Sequence, residues 1–128
     1  MSGFRGVNRH ELGRVAEQMA VDLFIARGAT PLFRNWRRPQ GELDLVVLDG
    51  QTCVFVEVRS RTGSERGHAL ETVTATKRAQ VVRAARLFLA EETVRAENFR
   101  FDVVAVTFSA VGSPVECVHV PNAFTTTD

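Results

Sequence analysis

The stretch GELDLVVLDGQTCVFVEVRSR, residues 41–61, decides the fold of this 128-residue chain. Its two apolar runs flank Asp49-Gly50, a dipeptide typical of a β-hairpin turn. We therefore predict two buried antiparallel strands, Glu42–Leu48 and Thr52–Ser60. The same strands carry three carboxylates and an arginine, and charged groups are rarely buried unless they are paired or bind a metal. That conflict is the first indication of a functional site.

The alternation of side chains along a strand brings these charges together. Glu57 and Arg59 share one face of the second strand. Asp44 shares a face of the first strand with Glu42, opposite the face of Leu43 and Leu45. A two-residue Asp49-Gly50 loop would pair Asp44 with Phe55 and leave Glu57 diagonal to it, whereas a four-residue loop would pair Asp44 with Glu57 directly. Both registers bring Asp44, Glu57 and Arg59 within reach of one ion.

Two carboxylates this close repel each other and need a counter-charge. A divalent cation would supply it, because Mg²⁺ and Mn²⁺ prefer carboxylate oxygens, backbone carbonyls and waters as ligands. The alternative is an ion-pair network in which Arg59 neutralises Glu57 and Glu42. A short pattern of this kind occurs in many unrelated sequences and does not decide between the two.

Hydrophobic periodicity predicts a single α/β domain around the hairpin. A first helix runs between an Asn8 cap and a stop at Gly28. The other predicted elements are strands at Thr30–Asn35, Phe99–Phe108 and Val115–Val120, with a second helix at Thr76–Glu91. The order α-β-β-β-α-β-β describes a mixed β-sheet flanked by helices, with strands three and four parallel through the second helix. The domain spans 1–128, with its core at about 8–120 and a loose tail at 121–128.

Composition narrows the classes of function. The net charge is only +1, so the chain is not a polycation that binds nucleic acid over its whole surface. No apolar run is long enough to span a membrane, and the N-terminus does not resemble a signal peptide. Cys53 and Cys117 show no zinc-binding spacing. We expect a cytoplasmic protein with reduced thiols and no membrane partner.

Five segments, taken in order, resemble a known family. They are GRVAEQMA at 13–20, RNWRRPQGELDLVV at 34–47, VFVEVRSR at 54–61, the helix that Lys77 opens, and RFDVVAV at 100–106. Their order and spacing resemble the bacterial YraN family over roughly residues 10 to 108. That family is similar to archaeal Holliday-junction resolvases. The resemblance therefore implies a restriction-endonuclease-like fold.

In such nucleases a helix glutamate, a strand aspartate and an E-x-K pair form the metal site. The resemblance carries these catalytic roles to Glu17, Asp44, Glu57 and Arg59. Arg59 stands where the nuclease pattern has lysine, although arginine also occurs there in the YraN family. The implied site holds Mg²⁺ or Mn²⁺ through Asp44, Glu57, Glu17 and the Val58 carbonyl, for phosphodiester hydrolysis. By pattern alone, Glu17 is either directed to the core edge or an ordinary boundary residue.

Basic and aromatic residues surround this predicted site. Arginine binds phosphates, and an exposed tryptophan can stack on an unpaired base. The residues predicted to bind nucleic acid are Arg34, Trp36, Arg37, Arg38, Arg61 and Lys77. The alternatives are a solvated charged face and a Trp36 that anchors its loop to the core. The expected partner is DNA rather than RNA, and the resemblance to dimeric resolvases points to a homodimer.

Three functional hypotheses remain open. The first is a metal-dependent, structure-selective, resolvase-like endonuclease. The second is a nuclease-fold protein that binds nucleic acid without cutting it, with Arg59 as the sign of lost activity. The third is an ion-paired structural core that serves protein interaction. Cleavage separates the first hypothesis from the second, and metal binding separates the first from the third.

Overall fold

A computed structural model describes residues 8–63 and 69–127, and in these ranges the chain forms one five-stranded sheet. The elements are α1 (Arg9–Ala26), β1 (Thr30–Arg38), β2 (Gly41–Asp49), β3 (Thr52–Thr62), a 3₁₀ turn (Ala69–Thr72), α2 (Ala75–Glu91), β4 (Asn98–Phe108) and β5 (Pro114–Phe124). The strands lie side by side in chain order. β3 and β4 are parallel, and the other neighbours are antiparallel. The predicted element order and the crossover through α2 are confirmed.

Side-chain caps fix where the helices begin. The Asn8 side chain accepts hydrogen bonds from the backbone N–H groups of His10, at 2.8 Å, and Glu11, at 3.4 Å. At α2, the Thr74 hydroxyl accepts from the backbone N–H of Lys77 at 3.2 Å. This cap places Lys77 in the first turn of α2. Across the described ranges, neither helix combines the length and the apolar character needed to cross a membrane.

The sheet separates two hydrophobic layers. The α1 layer contains Phe24, Val54 and Val106, and the α2 layer contains Phe55 and Phe88. Consecutive residues of β3 thus face opposite layers, as strand alternation requires. The same alternation directs Glu57 toward the α2 side of the sheet, two residues beyond Phe55.

β1 does not keep this alternation. Phe33 and Trp36 are three residues apart and would face opposite sides of a regular strand. Both rings nevertheless contact Phe88, with centroids 5.3 and 5.4 Å away. Between them, Asn35 has a φ of 53°, in the left-handed region that asparagine tolerates better than most residues. This one residue reverses the direction of the strand's side chains.

The reversal also affects β2. Leu43 pairs with Trp36 and lies in the α2 layer, whereas Leu45 lies in the α1 layer. The prediction that these two leucines share a face is therefore wrong. Asp44 stands between them, at an irregular point of the strand rather than on a regular face.

β1 and β5 extend furthest beyond their predicted bounds. β1 continues past Asn35 to Arg38, because Trp36, Arg37 and Arg38 pair with the start of β2. β5 reaches Phe124, which is 2% exposed and stacks on Phe101 with centroids 5.0 Å apart. The loose tail predicted from residue 121 is therefore wrong up to Phe124, because that ring completes the α2 layer.

Asp102 ties β5 to β4. Its carboxylate is fully buried and accepts from Arg100 Nε at 2.9 Å and from the backbone N–H of Asn122 at 2.9 Å. The other carboxylate oxygen lies 2.8 Å from Nε2 of His119. Burial by itself raises the pKa of Asp102, but the hydrogen bonds from His119, Arg100 and Asn122 hold it below its ordinary value.

We predict that Asp102→Ala lowers the free energy of unfolding by about 3–5 kcal/mol, because Arg100 and His119 lose their buried partner. Chemical denaturation would measure the loss. Asp22→Ala removes an exposed carboxylate from α1 and is the control, with an expected loss below about 1 kcal/mol. Equal losses in the two variants would show that the buried network contributes nothing specific.

Candidate functional site

The register of the hairpin places two carboxylates opposite each other. Gly50-Gln51 forms the turn, and Asp49 pairs with Thr52. Continued along the strands, this register sets Asp44 opposite Glu57. Of the two registers that the sequence allowed, the structure has the one that aligns Asp44 with Glu57, and the predicted two-residue loop at Asp49-Gly50 is wrong because the turn lies one residue later.

The backbone ladder between β2 and β3 ends just before this pair. Its last backbone partners are Leu45 and Val56. Beyond them, the backbone N–H of Val58 donates to a side chain instead of to a backbone carbonyl. Its acceptor is Oδ2 of Asp44, at 2.9 Å. The regular pairing of the two strands stops here, and the two carboxylates lie directly beyond its end.

Glu57 is held in an environment that disfavours its charge. Its side chain is 3% exposed. Burial, followed by the charge of Asp44 and a hydrogen bond shared with it, raises the pKa of Glu57 from 4.5 to about 8. Lys77 and Arg59 act in the opposite direction without cancelling the effect. At neutral pH Glu57 therefore keeps its proton, which lies in the hydrogen bond to Asp44.

Two cations approach the same oxygen of Glu57. Arg59 Nη1 and Lys77 Nζ each lie 3.6 Å from Glu57 Oε2. Arg59 extends from β3, and Lys77, the chain's one lysine, extends from the first turn of α2. Their side chains are 40% and 28% exposed, so both remain accessible from solvent.

From the sequence we predicted that Lys77 contacts nucleic acid, and its contact with Glu57 was not predicted. A signal was present, since Lys77 precedes Val81 by four residues and Ala84 by seven. These spacings put Lys77 on the buried side of α2, which faces the sheet. The helix-to-sheet packing that completes the contact is a long-range feature that periodicity does not specify.

Glu17 does not join the pair directly. Its Oε1 accepts a hydrogen bond from Asn35 Nδ2 at 3.1 Å. Among the residues that the structure describes, no three acidic, histidine or cysteine side chains come close enough together to hold a metal ion. The structure thus brings Asp44, Glu57 and Arg59 together and leaves Glu17 outside their group.

Trp36 is buried rather than available for stacking. Its side chain is 4% exposed, and its Nε1 donates to Glu92 at 3.0 Å. Arg38 lies over the ring at 4.3 Å and forms ion pairs with Glu91 and Glu92, at 2.8 and 3.2 Å. The interpretation of Trp36 as a platform for a base is therefore wrong, and its alternative role as an anchor to the core is confirmed.

The other predicted nucleic-acid contacts divide into two groups. Arg61 is 8% exposed and donates to Thr107 Oγ1 at 2.9 Å, so its guanidinium is part of the interior. Arg34 and Arg37 are exposed on β1. Arg34 lines a cleft of about 610 Å³ between α1 and β1, whose walls also include Glu17 and Asn35.

We predict that the carboxylate pair makes stability depend on pH in metal-free buffer. Between about pH 4.5 and 8 the unfolded chain releases the Glu57 proton while the folded chain keeps it, so stability falls as pH rises. Glu57→Gln should remove most of this decrease and exceed the wild type by about 2–5 kcal/mol at pH 8.5.

Urea unfolding at several pH values would measure the dependence. Glu42→Gln is the control, because the side chain of Glu42 is 54% exposed and should leave the wild-type slope unchanged. A Glu57→Gln slope equal to that of the wild type would contradict the shared proton.

Comparison with known proteins assigns the chain to a family. The model of the uncharacterised protein family UPF0102 matches residues 16–106, more than half of the chain. A UPF0102 protein of Pseudomonas paraeruginosa is 46% identical over 118 residues, covering 91% of this chain and 94% of that protein. A UPF0102 protein of Frankia casuarinae is 44% identical over 113 residues, covering 88% and 95%. The chain therefore belongs to the UPF0102 family, which is the YraN family that its motifs indicate.

Proposed function

We propose that this protein is a metal-dependent nuclease that hydrolyses phosphodiester bonds in nucleic acid, selecting its substrate by structure. The observation that carries the proposal is the pair formed by the buried Glu57 and the half-buried Asp44, with two cations at its edge. An interior that only needed stability would gain little from this arrangement, because buried charges cost more in desolvation than their pairing returns.

The pair has the donor chemistry that Mg²⁺ or Mn²⁺ requires. Asp44 and Glu57 offer hard oxygen ligands, and the Val58 carbonyl belongs to the strand segment between Glu57 and Arg59. The two carboxyl groups share a proton, and a divalent cation would replace that proton as the source of positive charge. When bound, such a cation lowers the pKa of a coordinated water and stabilises negative charge on phosphate.

Lys77 and Arg59 would act on the substrate from one edge of the pair. Both bring positive charge to Glu57 Oε2, next to the place where a scissile phosphate would lie. Arg59 stabilises phosphate charge but does not release a proton at working pH. Lys77 supplies, from α2, the ammonium group that the strand pattern lacks at residue 59. Its position would allow an active nuclease to carry arginine at residue 59.

Exposed arginines would bind the nucleic-acid backbone. Arg34 and Arg37 lie on β1, and Arg34 borders the cleft that also contains Glu17. With a net charge of +1, binding depends on such local clusters and should weaken as salt rises. DNA remains the proposed substrate, and a homodimer would match the two-fold character of a branched junction.

A second candidate is a protein of the same fold that binds nucleic acid without cutting it. It is favoured by one observation, that Glu17 does not complete a three-acid group with Asp44 and Glu57 in the described residues. Cleavage assays separate the two candidates directly.

The test is to incubate the protein with Mg²⁺ or Mn²⁺ and labelled branched, nicked and single-stranded DNA and RNA. We expect metal-dependent cleavage of at least one branched substrate. Asp44→Asn and Glu57→Gln should abolish it, while Glu42→Gln should cut as the wild type does. Binding without cleavage by folded wild-type protein under every condition would establish the second candidate instead.

We also predict that Lys77→Met lowers the cleavage rate by about 10²-fold, as expected for the loss of one electrostatic stabiliser. Arg59→Ala should have an effect of similar size, and Arg59→Lys should retain activity. Arg83→Met is the matched control, since Arg83 lies on the exposed side of α2. Unchanged rates in folded Lys77→Met protein would remove Lys77 from the reaction.

A further inference from the structure

We propose that Asn35 is a positioning residue, which fixes the direction of the Glu17 carboxylate relative to the Asp44–Glu57 pair. This inference rests on the proposed function, because it assigns Glu17 its place in the same site. Three observations carry it: the backbone conformation of Asn35, its hydrogen bond to Glu17, and its place opposite Asp44.

The conformation of Asn35 is unusual for the middle of a strand. Its φ of 53° lies in a region that most residues with a Cβ avoid. Such conformations persist where the surrounding structure requires them, and they are concentrated at functional sites. Here the requirement is visible, because the reversal at Asn35 lets Phe33 and Trp36 both reach Phe88.

The same residue connects two parts of the site. Arg34 pairs with Leu45 and Trp36 pairs with Leu43, which places Asn35 directly opposite Asp44. From there its side-chain amide donates to Glu17 Oε1 at 3.1 Å. Asn35 therefore links Glu17 of α1 to the strand position that faces Asp44.

This contact gives Glu17 a specific role. Glu17 stays outside the Asp44–Glu57 group, so its carboxylate would orient water at the site rather than complete a direct three-acid shell. An outer partner of this kind needs a fixed direction, because outer-shell hydrogen bonds determine how well a metal site binds. The Asn35 amide supplies that direction.

The test is a double-mutant cycle on Mn²⁺ affinity, measured by titration calorimetry with the metal alone. Asn35→Gly keeps the left-handed backbone but removes the amide, and Glu17→Ala removes the carboxylate. We expect each to weaken Mn²⁺ binding by about 10-fold. The double variant should be no weaker than either single variant, because both changes break one interaction.

Asn122→Gly is the matched control. Asn122 is the other non-glycine residue with positive φ among those described, at 52°, and it lies on β5. This change should leave Mn²⁺ affinity unchanged. Both glycine variants should melt within about 5 °C of the wild type, since glycine tolerates the conformation. If Asn35→Gly melts earlier, Asn35→Asp, which also tolerates it and lacks the amide donor, replaces it with the same expected results.

The outcomes distinguish this inference from the proposed function. Wild-type Mn²⁺ affinity in folded Asn35→Gly protein would overturn the positioning role and leave the nuclease proposal standing. Additive losses of Mn²⁺ affinity in the double variant would also overturn the positioning role, because Asn35 and Glu17 would then act separately. A wild type that neither binds Mn²⁺ nor cuts any substrate would overturn both.

Discussion

The fold is organised around one electrostatic constraint, the confinement of two carboxyl groups where the pairing of β2 and β3 ends. Asp44 is held by the backbone N–H of Val58, and Glu57 is almost fully withdrawn from water. Burial and mutual repulsion make a doubly charged pair unfavourable there. Positive charge must therefore reach the pair, as a proton, as the side chains of Arg59 and Lys77, or as a cation.

The surrounding elements supply what this constraint requires. The Thr74 cap starts α2 so that Lys77 points at Glu57, while Phe88 in the same helix packs against β1 and β3. The left-handed Asn35 reverses β1 opposite Asp44, and it also contacts α1. The packing of α2 and the irregularity of β1 thus position the residues of the site as well as those of the core.

The sequence was sufficient for the parts that depend on local pattern. Alternation and turn chemistry located the hairpin and brought Asp44, Glu57 and Arg59 together, and the family motifs identified the fold. The sequence was insufficient where long-range packing determines the surroundings of a side chain. The burial of Trp36 depends on Glu92, which is 56 residues away, and the contact of Lys77 with Glu57 depends on how α2 crosses the sheet. The reversal at Asn35 required a backbone angle that no periodic pattern reveals.

We propose that the carboxylate pair shares a proton that a divalent cation displaces. Calorimetry at pH 7 in two buffers with different ionisation enthalpies counts the protons released on Mn²⁺ binding. We expect the release of about one proton per Mn²⁺ bound by the wild type and almost none by Glu57→Gln. Binding heats that are identical in both buffers for the wild type would contradict it.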